Sequence, residues 1–214
     1  MYKPSDSITP DHAGAARYAE YKARYGKALR AGCYLVCVFI DYAMMEDRLL
    51  SILHHLNIAD RTLGEGCRWA TSPKSRRAGY RAALSAMISK DGALPRLGNI
   101  CTKIDVLETL ATLRDSDDAR EEYEAWLRTV VRDKLEQYEV ASLCKALNDW
   151  RGKRNNLTHH LFGSNACNYD AEELRKLAVE GMAFVKSLDN ISGAMARLMR
   201  NYEARRARRK RQRA

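Results

Sequence analysis

Proline is scarce in this chain, four in 214 residues, so little in the sequence interrupts a helix by removing a backbone donor. Glycine-rich phosphate loops are absent: neither a Walker motif nor GxGxxG occurs, which excludes the common nucleotide cradles. No Gly-x-Ser-x-Gly elbow occurs either, which disfavours a hydrolase of that type. The six cysteines (Cys33, Cys37, Cys67, Cys101, Cys144, Cys167) include no CxxC pair, so neither a zinc ribbon nor a thioredoxin-like site is indicated. They are expected to be reduced thiols serving as small core residues. The adjacent pairs His54-His55 and His159-His160 diverge on a helix, and no third ligand recurs at zinc spacing. No metal and no cofactor is therefore expected. The longest apolar run, Cys33 to Ile40, is far too short to span a bilayer, and the first residues carry no apolar signal region. A cytoplasmic protein with no membrane partner is the expectation.

What the chain has is positive charge, unevenly placed. The formal net charge is +10, and Arg205, Arg206, Arg208, Arg209, Lys210, Arg211 and Arg213 supply seven of those charges, leaving three for the rest. A run of like charges is expected to stay solvated and disordered, so residues 205–214 read as a basic tail. Its attraction for polyanions survives disorder, because counterion release from phosphates depends on charge density. With 46% hydrophobic and 30% charged residues, the chain as a whole has the composition of a globular protein, and 1–204 reads as a single folded domain.

Apolar residues recur at steps of three and four with no sustained alternation, which predicts an all-α fold, an antiparallel helical bundle. A modestly amphipathic first helix is expected over about His12 to Arg30. The second, about Cys33 to Leu56, carries the stripe Leu35, Phe39, Tyr42, Glu46, Leu49, Leu53, Leu56 and should be central. Glu46 interrupts that stripe and needs a cation or a polar cleft. Residues 59–98 are punctuated by glycine and proline and rich in arginine, a long basic loop excursion with one short helix around Gly79 to Ser89. There Lys74, Arg76 and Arg77, near Trp69 and Tyr80, are candidates for following an RNA backbone.

A helix from Asn99 to Arg114 should turn Ile100, Ile104, Leu107 and Leu110 inward, and one beginning near Ala119 should run through Trp126, Val130, Leu135 and Tyr138. Asp170-Ala171-Glu172-Glu173 has the form of a capping box and opens the last helix, whose stripe from Leu174 to Tyr202 keeps close to a seven-residue repeat.

The chemistry concentrates in Arg154-Asn155-Asn156-Leu157-Thr158-His159. A guanidinium that never loses its charge can hold a phosphate, and an imidazole moves a proton near neutral pH. Arg154 continues the stripe Leu143, Leu147, Trp150, so it points towards packed surface and needs an anionic partner, for which Glu46 is the obvious candidate. Five residues on a straight helix turn through about 140°, so Arg154 and His159 do not share a face, whereas Asn155 and His159 do. Gly152 and the two asparagines permit a kink here.

Arg154-Asn155-x-x-x-His159 resembles the Arg-x4–6-His motif of HEPN domains (higher eukaryotes and prokaryotes nucleotide-binding). The helical pattern around it, with an acidic residue on an upstream core helix, is similar to that family's bundle. The resemblance implies a metal-independent endoribonuclease acting on RNA, usually a homodimer whose two motifs meet at one site. His159 would then move the proton, Arg154 would stabilise phosphate charge and Asn155 would position them, with Glu46 supporting and His160 fitting a spacing one residue longer. The basic residues at 74–77 and 205–211 would draw RNA in. Many such proteins are toxins or antiphage defence factors, some paired with a nucleotidyltransferase-type antitoxin, and others have lost catalysis and only bind. A noncatalytic helical RNA-binding or protein-interaction adaptor is the alternative reading.

Overall fold

The computed structural model describes residues 12–56, 99–113, 122–162 and 170–213. Among these, every regular element is a helix: α1 His12–Arg30, α2 Tyr34–His55, α3 Ile100–Ala111, α4 Glu122–Trp126, a π turn Leu127–Val131, α5 Arg132–Gln137, α6 Val140–Phe162 and α7 Ala171–Arg213. None is long and apolar enough to cross a membrane. The basic stretch 59–98, with Lys74, Arg76 and Arg77, lies outside the described residues, as do Cys67, Cys167 and the acidic turn at 115–118.

Local signals set most helix ends. Asn99 accepts a hydrogen bond from the Thr102 amide at 2.9 Å and opens α3, and Asp170 accepts one from the Glu172 amide at 2.9 Å at the start of α7. At Gly32, φ is +70°, a conformation that suits glycine in the tight turn between α1 and α2. Glu139 takes φ +50° between α5 and α6, so the helix breaks before the Arg154 motif and restarts at Val140. From there α6 runs unbroken through Gly152, without the kink the sequence permits.

α3 buries Ile100, Ile104, Leu107 and Leu110 as its periodicity predicts, and α7 buries Leu177, Val185, Leu188, Ile191, Met195 and Tyr202 from its expected stripe. Two faces differ from expectation. On α2 the buried side carries Cys37, Val38, Asp41, Met44, Met45 and Arg48 ahead of Leu49 and Leu53, while Phe39 is 39% exposed. The reason is that α2 is apolar around most of its circumference, so the pattern leaves its rotation open and the neighbouring helices fix it. Across the π turn, Tyr123, Leu127, Val131 and Leu135 point inward and Val130 is 42% exposed, because the extra residue in a π turn shifts the facing positions.

The central packing pairs α2 with α7. Ser51 and Ser192 hydroxyls meet at 2.9 Å, Arg48 Nη1 donates to Asp189 Oδ1 at 3.3 Å, and Asp41 lies against Gly181. Contacting positions rise together along both helices, so this pair is parallel, and the expected antiparallel bundle does not hold at its centre. Helical periodicity gives faces, not directions, which is why the antiparallel expectation fails here. α1 does run against them, with the Tyr25 hydroxyl donating to Ala178 O at 3.0 Å and Lys22 Nζ reaching Asp189 Oδ2 at 3.4 Å. Buried Arg48 also pairs with Asp47 and lies 4.1 Å from the centre of the Tyr18 ring.

The expectation of a disordered basic tail is corrected: α7 continues as helix to Arg213. Arginine is a good helix former, and cations are favoured at a helix C-terminus, where the macrodipole is negative. Tertiary contacts hold this end as well. Tyr202 packs its ring 4.6 Å from Trp126 and 6.0 Å from Tyr123, and Arg209 Nη1 reaches Glu122 Oε1 at 2.7 Å.

Asp41 is fully buried and both carboxyl oxygens lack a hydrogen-bond partner. Loss of hydration pushes its pKa up from 3.8 to about 8. Between those values the folded state holds a proton that the unfolded chain has released, so this group makes stability fall as pH rises from about 4 to about 8 and then level off. Denaturant unfolding at several pH values should show this slope, on the order of 1 kcal/mol per pH unit, in the parent and not in Asp41→Asn. Equal slopes in the two proteins would mean that Asp41 is not held neutral.

Candidate functional site

α6 presents the motif on two adjoining rows. Arg151, Asn155 and His159 follow one another at steps of four, and Arg154 lies on the neighbouring row with Thr158. Thr158 Oγ1 donates to the Arg154 carbonyl oxygen at 3.0 Å. His159 is exposed; His160 is helical, and its side chain falls outside the described residues. Asn155 joins the rows, because its Oδ1 accepts from Arg154 Nη1 at 3.2 Å while its position stands one turn before His159.

The expected partner of Arg154 is not Glu46. Glu46 Oε1 instead accepts from Lys103 Nζ at 2.6 Å, and Lys103, on α3, has a side chain only 3% exposed. A buried ammonium has the stronger need of a carboxylate, since leaving it unpaired costs more than leaving a half-exposed guanidinium. Arg154 is held by rings: its guanidinium carbon lies 4.5 Å from the centre of Tyr42 and 5.0 Å from that of Phe39, both on α2. Its Nε is buried without a hydrogen-bond partner. Among the described residues, Arg154 has no carboxylate partner.

Arg151 was not singled out from sequence, and Phe39, Tyr42 and Cys101 were read there as core positions and not as part of the site. Arg151 Nη1 donates to the Cys101 thiol on α3, and its Nε, like that of Arg154, is buried and unpartnered. The four-residue step from Arg151 to Asn155 and His159 was the available signal for it. Burial is the main cause raising the Tyr42 phenol above its ordinary pKa; Glu46 adds to the rise, and Arg154 and Arg151 oppose it. The phenol is thus neutral at physiological pH and keeps its proton to donate. Of the cysteines described, Cys37 and Cys144 are buried as expected, Cys101 is partly exposed at this site, and Cys33 is exposed.

The result is a pair of guanidinium groups on neighbouring positions of α6, that of Arg154 set against two aromatic rings, with the exposed His159 one turn beyond Asn155. Its chemistry suits an anion that accepts several N–H donors, such as a phosphodiester. A separate groove of about 390 Å³ between α6 and α7 is lined by Lys153, Asn156, Glu173, Lys176 and Glu180, on other rows of α6, and its mixed charges do not select an anion. The exposed Arg205, Arg208, Arg209, Lys210 and Arg211 extend positive surface along the far end of α7, and Arg206 is half-buried there. Compared with protein-family models, curated proteins and solved structures, the chain matches none.

The Glu46–Lys103 pair yields a stability prediction. Glu46→Gln should cost about 1–3 kcal/mol in urea unfolding, because buried Lys103 loses its charged acceptor. No loss of stability would mean that Lys103 finds its compensation elsewhere.

Proposed function

We propose that the protein is a metal-independent endoribonuclease of the HEPN type. The observation that carries this reading is Arg154: a half-buried guanidinium fixed by Asn155 and two rings, without a carboxylate among the described residues, on the helix that carries an exposed histidine one turn beyond Asn155. A fixed cation with donors left over is what stabilising charge on a phosphodiester requires.

In this mechanism His159 takes the proton from a ribose 2′-hydroxyl as that oxygen attacks phosphorus. The bond from phosphorus to the 5′-oxygen breaks, the departing oxygen takes up a proton from water, and His159 returns its own to solvent. Arg154 stabilises the negative charge that builds on the non-bridging phosphate oxygens, and Asn155 holds the arginine in place. The products are a 2′,3′-cyclic phosphate and a 5′-hydroxyl. Single-stranded or loop RNA is the preferred substrate, since its ribose and phosphate can rotate into line for attack.

A homodimer is part of the proposal. Val36 is 49% and Phe39 39% exposed, one turn apart on the side of α2 that meets Arg154, and this apolar surface gives a second copy something to cover. The noncatalytic alternative, a helical RNA-binding module, draws its support from the basic end of α7, whose exposed arginines lie on a formed helix.

Cleavage of single-stranded RNA in EDTA is the deciding experiment. The parent should cut, and His159→Ala should lower the rate at least about a hundredfold. An unaffected rate in His159→Ala, or activity that vanishes on chelation, overturns the mechanism; salt-sensitive binding without cleavage favours the alternative. Sedimentation velocity should give a dimer for the parent and a monomer for Phe39→Glu, and a monomeric parent removes the two-copy part of the proposal.

A further inference from the structure

Arg151 has no role in the mechanism above, yet it is built into the same surface. It stands one turn before Asn155 on the row that ends in His159, and three residues before Arg154, a spacing that places the two side chains next to each other on α6. Each guanidinium has its Nε buried without a hydrogen-bond partner. Each is also tethered at one Nη1 by a neutral group, Arg151 by the Cys101 thiol and Arg154 by the Asn155 amide. Neither has a carboxylate partner among the described residues, and the nearby acid, Glu46, is taken by Lys103.

Two neighbouring guanidinium groups repel one another, and partial burial strengthens that repulsion. Neutral tethers hold their direction without cancelling their charge, so the fold fixes two cations and leaves both available. Single-stranded RNA supplies what they lack: consecutive phosphates on a flexible backbone, one for each fork.

We propose that Arg151 and Arg154 form a two-phosphate clamp, Arg154 on the scissile phosphate and Arg151 on the adjacent one, fixing the register of a single-stranded RNA along α6. This rests on the reading of Arg154 and His159 as a ribonuclease site. Arg151 is a positioning residue: it touches the strand one phosphate away from the reacting atoms, so it governs affinity and KM more than kcat. The Cys101 thiol sets the direction of its fork.

The test uses the full chain and a fluorescein-labelled single-stranded RNA of twelve nucleotides, 2′-O-methylated throughout so that it cannot be cleaved. Anisotropy titrations across a salt series are expected to show about tenfold weaker binding for Arg151→Gln and a salt slope lower by about 0.7, the loss of one single-strand phosphate contact. Arg151→Lys should restore the slope, since it keeps the charge, and recover part of the affinity. Against unmodified RNA, Arg151→Gln should raise KM with kcat within about threefold of the parent. Phenylglyoxal modification of the parent protein, mapped by mass spectrometry, gives a reading that needs no variant: the bound oligonucleotide should slow reaction at Arg151.

Unchanged affinity and slope in Arg151→Gln, or equal modification with and without the oligonucleotide, overturns the clamp. The two proposals fail separately. A parent that never cleaves but loses binding with Arg151 keeps the clamp and loses the nuclease, whereas cleavage with KM independent of Arg151 does the reverse.

Discussion

The parallel contact between α2 and α7 is the constraint on which the other positions depend. At one end Asp41 sits where a Cβ on Gly181 would come within 2.7 Å of its Oδ2 and 2.9 Å of Trp150, so the helices approach closely only because position 181 has no side chain. Further along, Arg48 meets Asp189 and Ser51 meets Ser192, both across buried surface. A shift by one turn would part Arg48 from Asp189 and Ser51 from Ser192, leaving buried polar groups without the partners they have across the seam. The seam therefore sets the register of the two helices and the rotation of α2.

That rotation produces the site. With Cys37, Asp41, Met44 and Arg48 committed to the core, Phe39 and Tyr42 are turned towards α6, where they receive the Arg154 guanidinium. Trp150, one turn before Arg154, is locked into the same core by its indole N–H, which donates to Leu177 O at 2.9 Å. Position and orientation of the arginine thus follow from packing on both sides of it. Lys103 completes the arrangement by taking Glu46, which leaves Arg151 and Arg154 without a carboxylate partner among the described residues. An electropositive surface arises here from how the charges are partitioned.

Much of this was legible in particular residues. The stripes of α3 and α7, the Asp170 cap and the shared row of Asn155 and His159 are local consequences of sequence within a turn or two, and they stand where the sequence put them. Asp41 and Arg48 were not legible as core residues, because an isolated sequence prices a buried charge as an error unless its partner is known, and Asp189 lies far away in the chain. The basic end of α7 was misread for a related reason: like charges in sequence suggest repulsion, but the aromatic contacts of Tyr202 and the ion pair of Arg209 with Glu122 come from another helix.

By itself the sequence determined that this protein is helical, where most helices begin and end, and that an arginine, an amide and a histidine share a few turns of one of them, since each of these follows from neighbours within about four residues. Only the tertiary structure decided the parallel direction of α2 and α7, the partner of Glu46 and the presence of Arg151 near Arg154 as a second cation without a carboxylate partner among the described residues. Those depend on which helix faces meet, and a carboxylate that several cations compete for goes to the one buried most deeply.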